Sequence, residues 1–350
     1  MKVSIGTKIK EGPWGGGNLF AINLKNHLES NGIEVVNHLN DDDIDLILLT
    51  EPRKTSESSA FTHLDVQKYL YFVNDKTVVV HRLNECDERK GTNYVNRYMI
   101  EANKIATQSV FVSEWLMNLY IAQGITSKNN KVIYAGADEK IFNQVNFTPW
   151  NKKEKLKIVT HHWGANWNKG FETYLLLDSM IASKEWKDKI EFTYIGNIPK
   201  NANFKNSNFI QPLSGEQLAN EIKKHHVYIT GSLNELSGNH HIEGAQCGLP
   251  IMYLNSGGTP EYAQDYGIEF KNHTLSADIK QMILDYDFYI EKVKKYKFSS
   301  LKMCEEYLEL FQKLLLNRVE EKNINNYKKT ISYSIKKKFY LFLKNVKKIN

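Results

Sequence analysis

Cysteine is scarce in this chain: Cys86, Cys247 and Cys304 are the only three among 350 residues. An odd number without metal-type spacing implies neither a disulfide framework nor a zinc site, and it points to a reducing compartment. Long apolar runs are missing too. None approaches the ~20 residues that span a bilayer, and the first residues lack the apolar core of a secretory leader, so the chain is expected on the cytosolic side. The formal net charge is +6, yet the eight lysines between Tyr327 and Asn350, with no acids among them, leave about −2 for the remainder. A broad nucleic-acid surface is therefore not expected.

What is present suits a globular protein of two domains, with 41% apolar and 25% charged residues. Lys2 to Thr7 alternates like a strand, and a glycine loop, Gly12-Pro13-Trp14-Gly15-Gly16-Gly17, follows it. Phe20, Leu24 and Leu28 then mark one helix face, and Ile33 to Val36 reads as the next strand. Strand, glycine loop, helix, strand is the opening of a dinucleotide-type fold, and glycines let a backbone approach a phosphate or sugar closely.

Thr77 to Val80 reads as a buried strand emptying into the polar run His81 to Thr92. So many charges at a strand's carboxyl end belong in a cleft, where His81 could meet a sugar hydroxyl and Glu85 or Asp87 could orient an acceptor. Val110 to Leu116 reads as a strand ending at a helix capped by Ser113, and Asn143 to Glu154 as a linker. Asp41-Asp42-Asp43-Ile44-Asp45 precedes the strand Leu46 to Leu49, at the end opposite to where such sheets bind ligands, so it is expected to cap a turn and not to hold a metal. In the second half, Leu156 to His161 is a strand leading through His162 to Gly170 into a helix from Phe171 to Ile181. Lys169-Gly170 at that helix start is placed to hold a phosphate with one cation and backbone N–H groups. The pairs His161-His162 and His240-His241 suggest hydrogen bonding or packing, since neighbours on a strand face opposite ways and cannot chelate together.

The densest stretch runs from Val227 to Tyr262, two short strands enclosing a loop and a helix that starts near Gly238 or Asn239. Glu235 and Glu243 stand eight residues apart, the first in the loop and the second about one turn into the helix. Both can face one cavity at the carboxyl ends of the strands, and paired carboxylate oxygens suit the vicinal hydroxyls of a ribose or hexose. Two solvated glutamates are the plain alternative.

The residues around the pair decide between these. Glu243 runs into Gly-Ala-Gln-Cys-Gly-Leu-Pro-Ile, and Gly257-Gly258-Thr259-Pro260-Glu261 follows the next strand. This resembles the donor-binding signature of the family 4 retaining glycosyltransferases (glycosyl transferases group 1), and Gly136-Ala137-Asp138 with Phe142 resembles the segment closing that family's first domain. The resemblance implies a GT-B fold: an N-terminal Rossmann-like domain over 1–145 on the acceptor side, a C-terminal one over 155–300 on the donor side, and a segment over 301–326 crossing back. It implies a nucleotide-sugar donor, UDP- or GDP-linked, a glycan or glycolipid acceptor, retention of configuration and no metal.

Carried over residue by residue, the resemblance sets Gly16 and Gly17 against the donor diphosphate. Lys169 and Gly170 match the pair that neutralises it. Glu235 with Asn239 and His240 would grip the sugar, Glu243 the ribose, and Pro212 and Leu213 would frame the base. His81 takes the place of a histidine that contacts the transferred sugar. One position departs: Gly164, with Asn166 near it, stands roughly where the family has an arginine. A silent nucleotide-sugar-binding or scaffold protein, or an epimerase or phosphorylase on the same scaffold, therefore stays open. The basic amphipathic tail over 327–350 suggests an anionic membrane surface, with a packed helix or a disordered end as alternatives.

Overall fold

The computed structural model describes residues 1–10, 15–126 and 129–317. The start of the glycine loop, Gly12 to Trp14, and the lysine-rich tail with its expected membrane contact lie outside them.

Among the described residues two six-stranded, wholly parallel sheets form. The first comprises β1 (Lys2–Ile5), β2 (Glu34–Val36), β3 (Leu46–Leu49), β4 (Val78–Leu83), β5 (Gln108–Phe111) and β6 (Asn130–Val132), in the order β2-β1-β3-β4-β5-β6. The second holds β7 (Leu156–His162), β8 (Ile190–Gly196), β9 (Asn208–Ile210), β10 (Val227–Thr230), β11 (Ile251–Leu254) and β12 (Gly267–Phe270), in the order β12-β11-β10-β7-β8-β9. Parallel sheets are covered on both faces, so their strands read as unbroken apolar runs: every residue of β3 (Leu-Ile-Leu-Leu) is buried. The helices supply the cover. In the first half they are α1 (Gly16–Ser30), α2 (His63–Phe72), α3 (Asp87–Lys90), α4 (Val95–Asn103) and α5 (Glu114–Ala122). In the second they are α6 (Phe171–Ile181), α7 (Gly215–Ile222), α8 (Asn239–Gln246), α9 (Thr259–Ala263), α10 (Leu275–Val293) and α11 (Ser300–Asn317).

Local chemistry sets the helix starts. Thr62 accepts from the Asp65 N–H while the Asp65 carboxylate takes the Thr62 N–H, a reciprocal cap on α2. Ser113 accepts from the Leu116 N–H at the start of α5. The acids before β3 are fastened to β1: the Lys2 ammonium meets Asp43 at 2.9 Å and Asp41 at 3.2 Å, and Asp45 accepts the Lys2 backbone N–H.

The last of the described helices, α11, returns to the first sheet. Met303, Cys304, Tyr307, Leu310 and Phe311 of α11 join Val3, Ile5, Phe20, Leu24 and Leu48 in one core, with Tyr307 edge-on to Phe20 at 5.3 Å between ring centres. Each fully buried aromatic there contributes roughly 2–3 kcal/mol of burial. The crossing is tight, since Gly136 lies against the Ser299 backbone, where a Cβ would come within 2.1 Å of its carbonyl. All three cysteines are free and buried, and burial pushes each thiol up to about 12.

Candidate functional site

In each sheet the strand order reverses beside the first strand, between β1 and β3 and between β7 and β10. The crevice at such a reversal, outside the carboxyl ends of the strands, is where open α/β sheets take ligands. The two crevices face each other. Between them lies a cleft of about 630 Å³, lined from one side by Gly16, Gly17, Arg82 and Arg89 and from the other by His161, Lys169, Glu235 and Glu243. That volume suits a small-molecule ligand.

Glu235 is the centre of this cleft. It sits in the loop after β10, and the following crossover builds its seat: the Gly258 N–H donates to the Glu235 carbonyl at 2.7 Å, and Ser256 Oγ accepts from the Asn234 N–H at 2.8 Å. Gly257 has φ +65°, and a Cβ there would stand 2.3 Å from the Glu235 carbonyl oxygen. The Gly257-Gly258 turn thus lets two loops touch with nothing between them. The Glu235 carboxylate receives Lys169 Nζ at 2.7 Å and, from the other domain, Arg89 Nε at 3.0 Å. Burial alone would raise the Glu235 carboxyl, but these two cations outweigh it and hold it far below the usual carboxylate range. Burial lowers the Lys169 ammonium, with Glu235 opposing, while Glu235 raises the Arg89 guanidinium. Glu85 lies 3.6 Å from Arg89 Nη1 and 2.9 Å from Lys90, so three cations surround two carboxylates, a local charge of +1, and the site favours an anion.

Glu243 lies on α8, its Oε2 2.8 Å from His161 Nε2, and His161 Nδ1 is 3.0 Å from the Tyr228 hydroxyl. The imidazole is thereby fixed in orientation and presents Glu243 to the cleft. His162 and His240 pack beside it with tilted rings 4.4 Å apart between centres, and burial lowers both, so they stay neutral. Asn239, His240, Asn166, Pro212 and Leu213 also line the cleft. The His240 Nε2 is already engaged with Thr230 Oγ1 at 2.8 Å. Gly16, at the start of α1, approaches the Asn239 side chain so closely that a Cβ would stand 3.0 Å from its Nδ2.

Three expectations are corrected. β4 runs to Leu83, three residues beyond the apolar run that marks it in the sequence, so His81 is a strand residue and not a loop residue. Its ring is fully buried, Nδ1 lies 2.9 Å from Asn103 Oδ1, and it does not line the cleft. Arg82, one residue on and therefore on the opposite face, does. Asp87 is a structural cap: its carboxylate takes the Tyr94, Val95 and Asn96 N–H groups and the Thr92 hydroxyl. Gly170 serves packing, since a Cβ would meet the Gly231 carbonyl carbon at 2.5 Å, and its N–H is spent on the Trp167 carbonyl. Glu85 does line the cleft, paired with Lys90 at 2.9 Å. His161 makes the hydrogen bond expected of its pair, whereas the sequence assigns no role to Arg82 or Arg89. Arg89 lies in the polar run after β4, but nothing in spacing reveals a contact 146 residues away.

The two domains are also tied at the edge of the cleft. Glu261 of α9 accepts from the backbone N–H groups of Glu114 and Trp115, capping α5 across the boundary, and Tyr262 donates to the Val112 carbonyl.

Two Rossmann-like domains facing across this cleft, with the last helix packed on the first, are the α/β architecture of the GT-B glycosyltransferases. No protein-family model and no curated protein sequence matches the chain. Solved structures do: sucrose-phosphate synthase from Thermosynechococcus elongatus, at a TM-score of 0.62 and 13% identity, covers 90% of this chain and 99% of its own. HepE from Anabaena in complex with UDP-glucose is similar at a TM-score of 0.64 and 14% identity, over 89% of this chain and 100% of that one. WaaG, a glycosyltransferase involved in lipopolysaccharide biosynthesis, matches at 0.60 and 10% identity, over 89% and 99%. At such identities the likeness is one of fold.

Proposed function

We propose that this protein is a retaining glycosyltransferase that moves a sugar from a nucleoside-diphosphate donor, UDP- or GDP-linked, to a hydroxyl of a glycan or glycolipid. The observation carrying this reading is the convergence of Glu235, Glu243 and Lys169 on one cleft. Glu243 would bind the ribose hydroxyls and Glu235 the sugar, with Asn239 and His240 beside it. Pro212 and Leu213 would flank the base.

The sugar C1–O bond to the β-phosphate breaks with its electron pair leaving on phosphate, and the acceptor oxygen bonds to C1 on the same face. The acceptor proton passes to the departing phosphate oxygen, so no separate base is needed. As C1 becomes oxocarbenium-like, the groups to stabilise are the growing negative charge on phosphate and the cationic sugar. Lys169, Arg89 and the open N–H groups of the first turn of α1 at Gly16 and Gly17 would serve the phosphate. Glu235 would serve the sugar, releasing its two cations toward the diphosphate. Arg89 thus offers a guanidinium from the first domain where Gly164 leaves none in the second. No metal is required by this scheme.

A catalytically silent nucleotide-sugar binder is the second reading, favoured by that same Gly164. A panel of UDP-, GDP- and ADP-sugars tested by thermal shift, followed by assay of released nucleoside diphosphate, separates the two. Stabilisation with release supports the transferase; stabilisation without release under any acceptor supports the binder; no stabilisation refutes both.

A further inference from the structure

Beside the donor cleft lies a second cavity of about 360 Å³, built wholly from the first domain. It opens at the carboxyl ends of β1, β3 and β4, and Gly17, Arg82, Asn84 and Glu85 wall both cavities. An occupant would reach directly into the space where the donor's sugar is cleaved. Thr7, Thr50, Ser56 and Ser58 give it hydroxyl partners for a polyol.

Its charges do not balance. Among the described residues three acids line it, and each is matched: Glu51 with Arg53 at 2.6 Å, Glu57 with Lys10 at 3.1 Å, and Glu85 with Lys90 at 2.9 Å. Among the described residues Lys8 and Arg82 have no carboxylate. Lys8 is exposed at the rim. Arg82 is only 6% exposed, its Cζ lies 3.9 Å over the Phe20 ring, the Tyr307 hydroxyl is its one polar neighbour from α11, and its Nε has no hydrogen-bond partner. A guanidinium buried without an anion is costly, and the planar fork matches a phosphate or carboxylate.

We infer that Arg82 and Lys8 form an anion subsite for the acceptor, which is therefore a saccharide bearing a phosphate or carboxylate close to its accepting hydroxyl. The inference rests on the transferase reading for the identity of the neighbouring ligand. Arg82 is fixed by Phe20 of α1, the helix whose first turn faces the donor, so the anion would be held at a set distance from the reacting carbon.

The test is titration calorimetry on the full chain saturated with UDP, using inorganic phosphate, glucose 6-phosphate, glucuronate and glucose as probes. Phosphate and at least one charged sugar should bind alongside UDP, glucose at least tenfold more weakly. Arg82→Gln should weaken the charged probes tenfold or more and Lys8→Gln a few-fold, with UDP affinity unchanged in Lys8→Gln and reduced by much less than that of the charged probes in Arg82→Gln. The stronger of glucose 6-phosphate and glucuronate identifies the anion. Glucose binding as tightly as its charged relatives would overturn the inference. So would displacement of phosphate by UDP, or a tenfold loss of UDP affinity in Arg82→Gln, either of which assigns the guanidinium to the donor diphosphate. If Arg82→Gln does not fold, Lys8→Gln decides, and unchanged phosphate affinity in it counts against the subsite. Failure of UDP itself to bind strikes the functional reading instead, while phosphate binding lost in Arg82→Gln still upholds the subsite.

Discussion

Removing the Glu235 carboxylate is the sharpest perturbation the cleft offers. In Glu235→Ala the Lys169 ammonium, 14% exposed, and the Arg89 guanidinium, 26% exposed, lose the oxygens now 2.7 and 3.0 Å away; Arg89 keeps Glu85 at 3.6 Å, and Lys169 is left facing the guanidinium without a carboxylate of its own. Breaking a buried ion pair from one side costs about 3–5 kcal/mol because the stranded charge stays desolvated. For a domain of this size that is roughly a 10 °C fall in melting temperature. Lys169→Met removes the other charge. The double variant should therefore be less destabilised than the two singles together, with a coupling of about 1–3 kcal/mol in urea unfolding. The pH dependence has a definite sign. In wild type the depressed Glu235 carboxyl gives stability that is fully present above the usual carboxylate pKa and is lost as pH falls through its lower folded value. In Glu235→Ala the deficit should instead shrink as pH rises toward 10, because Lys169, already lowered by burial and by Arg89, sheds its proton. Additive single variants, or a deficit independent of pH, would refute the picture of one shared buried network.

Three further outcomes are expected. Burial lowers His81 and His241 to about 4, so their neutral forms stabilise the fold fully above the unfolded pKa of about 6.5, and that contribution is lost as pH falls from there toward 4, about 3 kcal/mol for each; urea midpoints at pH 7.5 and 5 should differ accordingly, and His81→Asn should reduce the difference. Gly257→Ala, at φ +65° and with a Cβ 2.3 Å from the Glu235 carbonyl, should displace the Glu235 loop, cost roughly 2 kcal/mol and weaken UDP-sugar binding more than tenfold, and a crystal structure with that loop unmoved would contradict it. Asp178 accepts from the Lys205, Asn206 and Ser207 N–H groups, so Asp178→Ala should cost about 2–4 kcal/mol and speed hydrogen exchange over 205–207; unchanged exchange there would deny it that anchoring role.

How much of this was legible in the sequence varies by element. Buried parallel strands such as β3 and β11 announce themselves as apolar runs, and the start of α8 at Asn239 falls where the glycine before it places it. Glu235, Glu243 and Lys169 could be grouped because strand-loop-helix order puts each at a carboxyl end. β4 could not be bounded, because His81 and Arg82 are polar yet buried, and hydrophobic patterning stops at Val80. That single boundary exchanged one candidate for its neighbour, since a shift of one residue on a strand reverses the face. Asp87 looked available for a ligand because capping depends on N–H groups seven to nine residues ahead, which composition does not reveal. Arg89 was hidden for the opposite reason, its partner being in the other half of the chain.

The return of α11 carries a consequence for how the polypeptide matures. The second sheet with its helices is one continuous stretch that can close on itself, whereas the sheet that begins at Lys2 lacks Tyr307, Leu310 and Phe311 until the chain has run through the whole of the second sheet. The first sheet is thus made before the second yet sealed after it, and its apolar flank stays open to water in the interval.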